Sequence, residues 1–383
     1  MDSGEKRLNE LGYKQELRRE MTLFKTLAIT FSCMAVFSGT PLYGPSLLYA
    51  GPASLIWGWV VVSFFTWFVG LALAEICSSF PTTGSLYFWA AHLAGPRWGP
   101  FASWCCAWLE VIGIISGIGA QAYSGAQALQ MIILLSTGTN KGGGYFAPRS
   151  VFLSHLTEET KGSDRTGPIA ILSSIGIVTV FGWAYYLALT FSIQDPNYLY
   201  DVNNETAGAL VPAQIIYDAF YGRFNNSAGA IAFLWIIWVS YFFCGLSVTT
   251  SAARVVYALS RDGGIPFSPI WRKLHPKHKV PRNAVWLCAA ISIILGLPIL
   301  KLDVVFTAII SISTIGWVGG YAVPNFLQTS HGQRKISNQD LSIWVKQEGQ
   351  FVWWPSCGYV IPVQPSYCQQ STLFNGKLSI MHQ

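Results

Sequence analysis

From Thr26 to Ala74 the chain carries no charged side chain. A helix needs about 20 predominantly apolar residues to cross a bilayer, so this stretch holds two crossings. Gly51-Pro52 divides them, because Pro cannot continue the helical hydrogen-bond ladder and Gly does not resist a turn. Apolar runs of similar character recur along the chain. With the first pair at about 27–49 and 53–76, the others fall at 101–135, 168–192, 228–253, 283–300 and 304–323. The expected fold is all-α, a polytopic membrane helix bundle with about seven membrane helices. Only 11% of residues are charged, against roughly 25% in soluble chains, which excludes an ordinary soluble domain.

The net charge of +6 does not imply a nucleic-acid partner, since the basic residues sit in a few loops between apolar runs; the partner is the lipid bilayer. Eight cysteines include the adjacent Cys105 and Cys106 inside an apolar run. None has metal-ligand spacing, so they read as small buried hydrophobes, and neither a metal nor a cofactor is expected. The first 26 residues are mainly polar and basic, with Lys6, Arg7, Lys14, Arg18, Arg19 and Lys25, which reads as a cytoplasmic segment and not a signal peptide.

Orientation follows from where Lys and Arg collect. The N-terminal segment and the loop 254–282, with Arg254, Arg261, Arg272, Lys273, Lys277, Lys279 and Arg282, read as cytoplasmic. The loop 193–227 carries Arg223 against Asp195, Asp201, Glu205 and Asp218, and two glycosylation sequons at Asn204 and Asn225, so it reads as non-cytoplasmic. That assignment puts the polar stretch "SHLTEETKGSDRTG" inside, whereas three crossings from an inside N-terminus put it outside. The parity of crossings is broken between residues 101 and 168. One resolution is that 101–135 folds back, because its second half, "GIGAQAYSGAQALQ", is weakly apolar.

Three segments suggest another resolution. "AEICSSFPTTGSLYFWAA", "HLTEETKGSDRTGPIAI" and "SAARVVYALSRDGGIP" resemble signatures of the amino acid–polyamine–organocation transporter superfamily, in its amino-acid/GABA permease branch. The resemblance covers about residues 10–150 and 155–323. It implies twelve helices, ten of them in two inverted five-helix repeats. The first three runs here match helices one to three and the last four match seven to ten, so the fold is expected to be an incomplete five-plus-five transporter. Helices four to six are absent, and Val151–His155 joins the flanking loops directly. An odd deletion restores both loop assignments. The resulting divisions are 1–26, 27–135, a junction at 136–167, 168–323, and a divergent, disordered tail at 324–383 that lacks the family's last two helices.

Candidate site residues follow. Ser38, Gly39, Thr40 and Pro41 interrupt an apolar helix near its middle. The freed backbone groups cannot be satisfied by lipid and must line a protein-enclosed cavity, where a half-helix N-terminus can meet a substrate carboxylate. A simple packing kink is the alternative. Glu110 is the only charge between Phe101 and Leu135, a candidate proton or cation site unless wetted at an interface marked by Trp104 and Trp108. Ser247, Thr249 and Thr250 resemble hydroxyls that ligate a coupling cation, but such groups also bond to their own helix. The resemblance implies secondary transport of amino acids, with GABA a candidate and a proton or sodium gradient as driver, in the plasma membrane or a mitochondrial membrane. A shortened product that associates with a full-length transporter is the competing reading. No hydrolase or metalloprotease motif argues for an enzyme.

Overall fold

The structure, a computed structural model, describes residues 23–34, 36–80, 85–147, 166–275, 280–300, 304–331, 352–353 and 360–361. Its helices are α1 (Leu23–Met34), α2 (Thr40–Ser79), α3 (Ser85–Thr137), α4 (Thr166–Phe191), α5 (Val211–Phe224), α6 (Ala228–Arg261), the single turn α7 (Ser268–Trp271), α8 (Arg282–Gly296) and α9 (Val304–His331). Strand structure among the described residues is one two-residue antiparallel pair, Val352–Trp353 with Val360–Ile361. The chain is an all-helical membrane bundle.

Among the described residues α2, α3, α4, α6 and α9 are long and apolar enough to cross a bilayer, while α8, with 15 residues, falls short. The seven apolar runs are helical but are not seven separate rods. The first run is cut before Thr40, and its second half continues into the second run as α2. The chain turns there at Gly51 (φ 75°, ψ 169°), ahead of Pro52. Gly95 (φ 77°, ψ 179°), ahead of Pro96, repeats the device in α3. Both backbones lie in a region that residues with a Cβ rarely adopt. Beyond Gly95, α3 runs without a break to Thr137, roughly 60 Å at 1.5 Å per residue.

That continuity overturns the expected fold-back of 101–135. Its weakly apolar half faces protein. α9 packs along α3 so closely that a Cβ on Gly316 would lie 2.5 Å from the Gly113 Cα. Small residues permit such contact between membrane helices. Ser313 donates to the Gly113 carbonyl (2.9 Å) and the Cys106 thiol to the Gly320 carbonyl (3.5 Å) across the same seam. Outward on α2, Trp57, Val62 and Phe65 are exposed, as a lipid-facing surface requires.

The two ends of the bundle are distinct. At the basic end the Tyr87 hydroxyl donates to Asp262 (2.8 Å) and the Gln328 amide to Glu75 (3.2 Å); α9 thus remains packed past Pro324, where the tail was expected to begin. At the acidic end the loop after α3 docks on the loop after α4. The Asn140 N–H donates to the Glu205 carbonyl (2.9 Å) and its side-chain amide to the carbonyls of Val202 and Asn204 (both 3.1 Å). α3 and α4 therefore finish at the same end, the arrangement that broke the parity count. The connection 148–165 and the tail residues 332–351, 354–359 and 362–383 lie outside the described residues.

The sequons part company in this cap. Asn204 is fully buried. Its amide donates to the carbonyls of Tyr198 (3.1 Å) and Leu199 (3.2 Å), and its oxygen accepts from the Thr206 N–H (3.0 Å) and the Gly208 N–H (2.8 Å). Asn225 is exposed and left-handed (φ 48°, ψ 34°) just past the end of α5. On the orientation read from the basic loops, Asn225→Gln is expected to abolish a glycosidase-sensitive gel shift. Asn204→Gln should keep the shift and lower thermal stability. A shift lost only with Asn204 would contradict this assignment.

Glu205 ties the cap together, accepting from Lys141 (3.0 Å), Tyr198 (2.8 Å) and Gln214 (2.9 Å). Burial pushes its pKa up, but these hydrogen bonds outweigh burial and hold it below the usual carboxylate range. Burial also raises Asp218, only partly offset by Gln214. A depressed carboxylate stabilises the fold above its unfolded pKa and loses that contribution as pH falls through its folded pKa; Asp218 contributes with the opposite sign. The melting temperature is thus expected to fall on acidification below the usual carboxylate range. The fall should be shallower in Glu205→Gln, and identical pH profiles for the two proteins would rule the contribution out.

Candidate functional site

The first apolar run ends as a helix at Met34, turns through 36–39 and restarts at Thr40, with Gly39 as N-cap and Pro41 in the first turn. Pro at this position loses no hydrogen bond, because the first helical N–H groups have no partner within the helix. The carbonyls freed by the break are met by protein. Phe37 accepts from the Thr40 N–H (3.0 Å), the Thr40 hydroxyl (2.6 Å) and the Tyr241 hydroxyl of α6 (2.9 Å). Cys33 accepts from the Cys244 thiol (3.2 Å), and Met34 from Ser38 (3.3 Å). The break is thus sealed against lipid, the condition for an irregular segment at bilayer depth.

On α4, Tyr185 hydrogen-bonds Thr40 (3.1 Å) and Tyr186 presses its hydroxyl against Gly39, where an added Cβ would lie 2.0 Å away. Tyr186 stacks on Tyr43 and meets the edge of Trp59. The other side of the break opens on a cavity of about 250 Å³. Ser38 and Gly39 line it together with Gln121 and Ser124 of α3 and Thr314 and Trp317 of α9. The α3 and α9 lining residues belong to no motif in the sequence. The available signal was a set of polar side chains recurring through the apolar α3, at Gln121, Ser124 and Gln127.

The structure places the remaining candidates away from this lining. Glu110 is 5% exposed, packs beside Gly320, and has one carboxyl oxygen without a hydrogen-bond partner. It lies seven residues before the cavity-lining Gly117 on α3, about 10 Å along the axis, towards the basic end. Full burial replaces the wetted, interfacial position that Trp104 and Trp108 suggested. Thr249 and Thr250 on α6 donate to the carbonyls of Gly245 (2.7 Å) and Leu246 (2.9 Å), within their own helix, and Ser247 is buried beside them. Among the described residues no cluster of His, Cys, Asp and Glu could hold a metal ion.

The sequence pattern of the amino acid permease family matches residues 21–146 and 150–327. The chain belongs to the amino acid permease family. It is therefore a multi-pass integral membrane protein of a transport family and not an enzyme. The amino-acid permease BAT1 of Arabidopsis thaliana is 34% identical, over 95% of this chain and 88% of its own length. The BAT1 homolog of rice is 38% identical over 84% and 80%, and the GABA-specific permease of Saccharomyces cerevisiae 26% over 85% and 72%. The first of these alignments runs to 457 residues, more than the 383 of this permease, so its relative carries residues within the matched region that this chain lacks. The two matched segments part at residues 147–149.

Proposed function

We propose that this permease moves amino acids across its membrane by alternating access, with the substrate carboxylate held at the broken first helix. One observation carries the reading: Ser38 and Gly39 of the interruption line a cavity between the break, α3 and α9. The positive end of the α2 dipole favours a carboxylate there. The N–H groups of Thr40 and Leu42 bond within the turn, to Phe37 and Gly39 (both 3.0 Å), and carboxylate binding would draw on those bonds. GABA joins the α-amino acids as a candidate because a relative is named for it. Labelled alanine, glutamate, arginine and GABA, offered to a transport-deficient host or to proteoliposomes, test this; uptake of none of them by correctly inserted protein would sink it.

The second reading is a shortened product that does not transport and associates with a full-length permease. It is favoured by the residues missing relative to BAT1 and by Tyr186 packed against Gly39, and co-purification with a full-length permease would support it. For the driving gradient we propose a proton taken up at Glu110, whose buried, unpartnered oxygen distinguishes it from the hydroxyls of Ser247, Thr249 and Thr250. Glu110→Gln is expected to remove stimulation by an imposed proton gradient while substrate exchange continues. Stimulation that survives the substitution excludes Glu110 as the carrier.

A further inference from the structure

We infer that the side-chain amide of Gln121 is the seat of the substrate's ammonium group, an assignment that rests on the transport reading above. An amino acid brings a cation as well as a carboxylate into the cavity, and no charged side chain is among its described lining residues. Neutral oxygens must receive that cation, since burying an ammonium without partners is prohibitively costly. The lining hydroxyls donate to helix carbonyls, Ser38 to Met34 (3.3 Å), Ser124 to Ala120 (2.8 Å), Ser313 to Gly113 (2.9 Å) and Thr314 to Ile310 (2.9 Å); their lone pairs remain, but a hydroxyl oxygen is a weaker acceptor than an amide carbonyl. Gln121 differs. Its amide oxygen is buried without a hydrogen-bond partner, a state that buried acceptors rarely keep. Gln121 lines the cavity, and the broad terminal torsion of a glutamine amide suits its oxygen to meeting a ligand there. Gln121 stands on α3, whereas Ser38 and Gly39 belong to the break. A zwitterion would thus be held at its two ends by different helices, and a ligand lacking the amine would engage only one.

Matched ligand pairs that differ only in the amine test this: alanine with propionate, and GABA with butyrate, titrated as thermal stabilisation of the full chain in detergent. Gln121→Met keeps side-chain length and removes the acceptor. It is expected to weaken the amine-bearing ligands about 10- to 100-fold, the worth of one hydrogen bond to a charged group, and to leave propionate and butyrate unchanged. Gln121→Glu keeps an acceptor and should keep the preference for the amine. Equal weakening within each pair, or none, overturns the assignment and leaves the transport reading standing. A wild-type chain that binds none of the four ligands overturns both. If Gln121→Met destabilises the ligand-free chain, Gln121→Glu decides alone, a lost amine preference counting against the assignment and a retained one for it.

Discussion

Converting Gly316 to alanine is expected to cost the fold about 2 kcal/mol or more, while the same change at Gly58 leaves it unchanged or slightly more stable. The added Cβ at Gly316 would meet the Gly113 Cα at 2.5 Å, the Gly113 nitrogen at 2.6 Å and the Leu109 carbonyl oxygen at 2.7 Å. These are backbone atoms of a long helix, which cannot rotate aside as a side chain can. α3 and α9 must separate instead, which also strains the Ser313–Gly113 and Cys106–Gly320 hydrogen bonds. At Gly58, inside α2, nothing lies within 4 Å of an added Cβ. There alanine's better helix propensity, about 1 kcal/mol over glycine, acts unopposed. Thermal denaturation of the two variants in the same detergent measures the difference. Equal melting temperatures would show that the seam is loose.

Gly39→Ala is expected to reduce substrate binding and uptake by at least about 10-fold, and Tyr186→Phe to restore most of the loss. Gly39 has an ordinary backbone (φ −82°, ψ −2°) that alanine adopts without strain, so the whole effect is steric. The new methyl would lie 2.0 Å from the Tyr186 hydroxyl but 3.4 Å from its ring carbon Cζ. Phenylalanine removes the oxygen and leaves an ordinary contact. Tyr186 cannot easily yield by moving, because Tyr43 stacks on it at 5.9 Å and Trp59 meets it at 5.0 Å between ring centroids. In a double-mutant cycle of this kind, contacting pairs couple by about 0.5–3 kcal/mol. An additive cycle, with the double variant as poor as Gly39→Ala, would mean that Gly39 acts on the site by some route other than Tyr186.

Much of this was legible before any coordinates. Length and apolarity declare a membrane helix locally, because lipid imposes the same demand on every segment. The Gly-Pro pair at Gly51 and the interruption at Ser38–Pro41 are likewise local, matters of a missing Cβ or a missing N–H. The broken parity could be counted from charges alone.

Tertiary packing decided the rest. Hydropathy cannot separate a helix face that meets lipid from one that meets protein, since the bilayer interior is as apolar as a protein core. The stretch after Gly113 therefore looked merely weak, whereas its glycines and Gln121 serve the α9 seam and the cavity. Asn204 and Asn225 carry the same kind of motif, yet one is buried by hydrogen bonds from its own loop and the other stands exposed. Sequence by itself determined which segments are apolar helices, the break in the first helix and the family. Only the folded chain decided which polar atoms were left without partners, because a hydrogen bond is satisfied by whatever lies within about 3 Å, and that neighbour is usually remote in sequence.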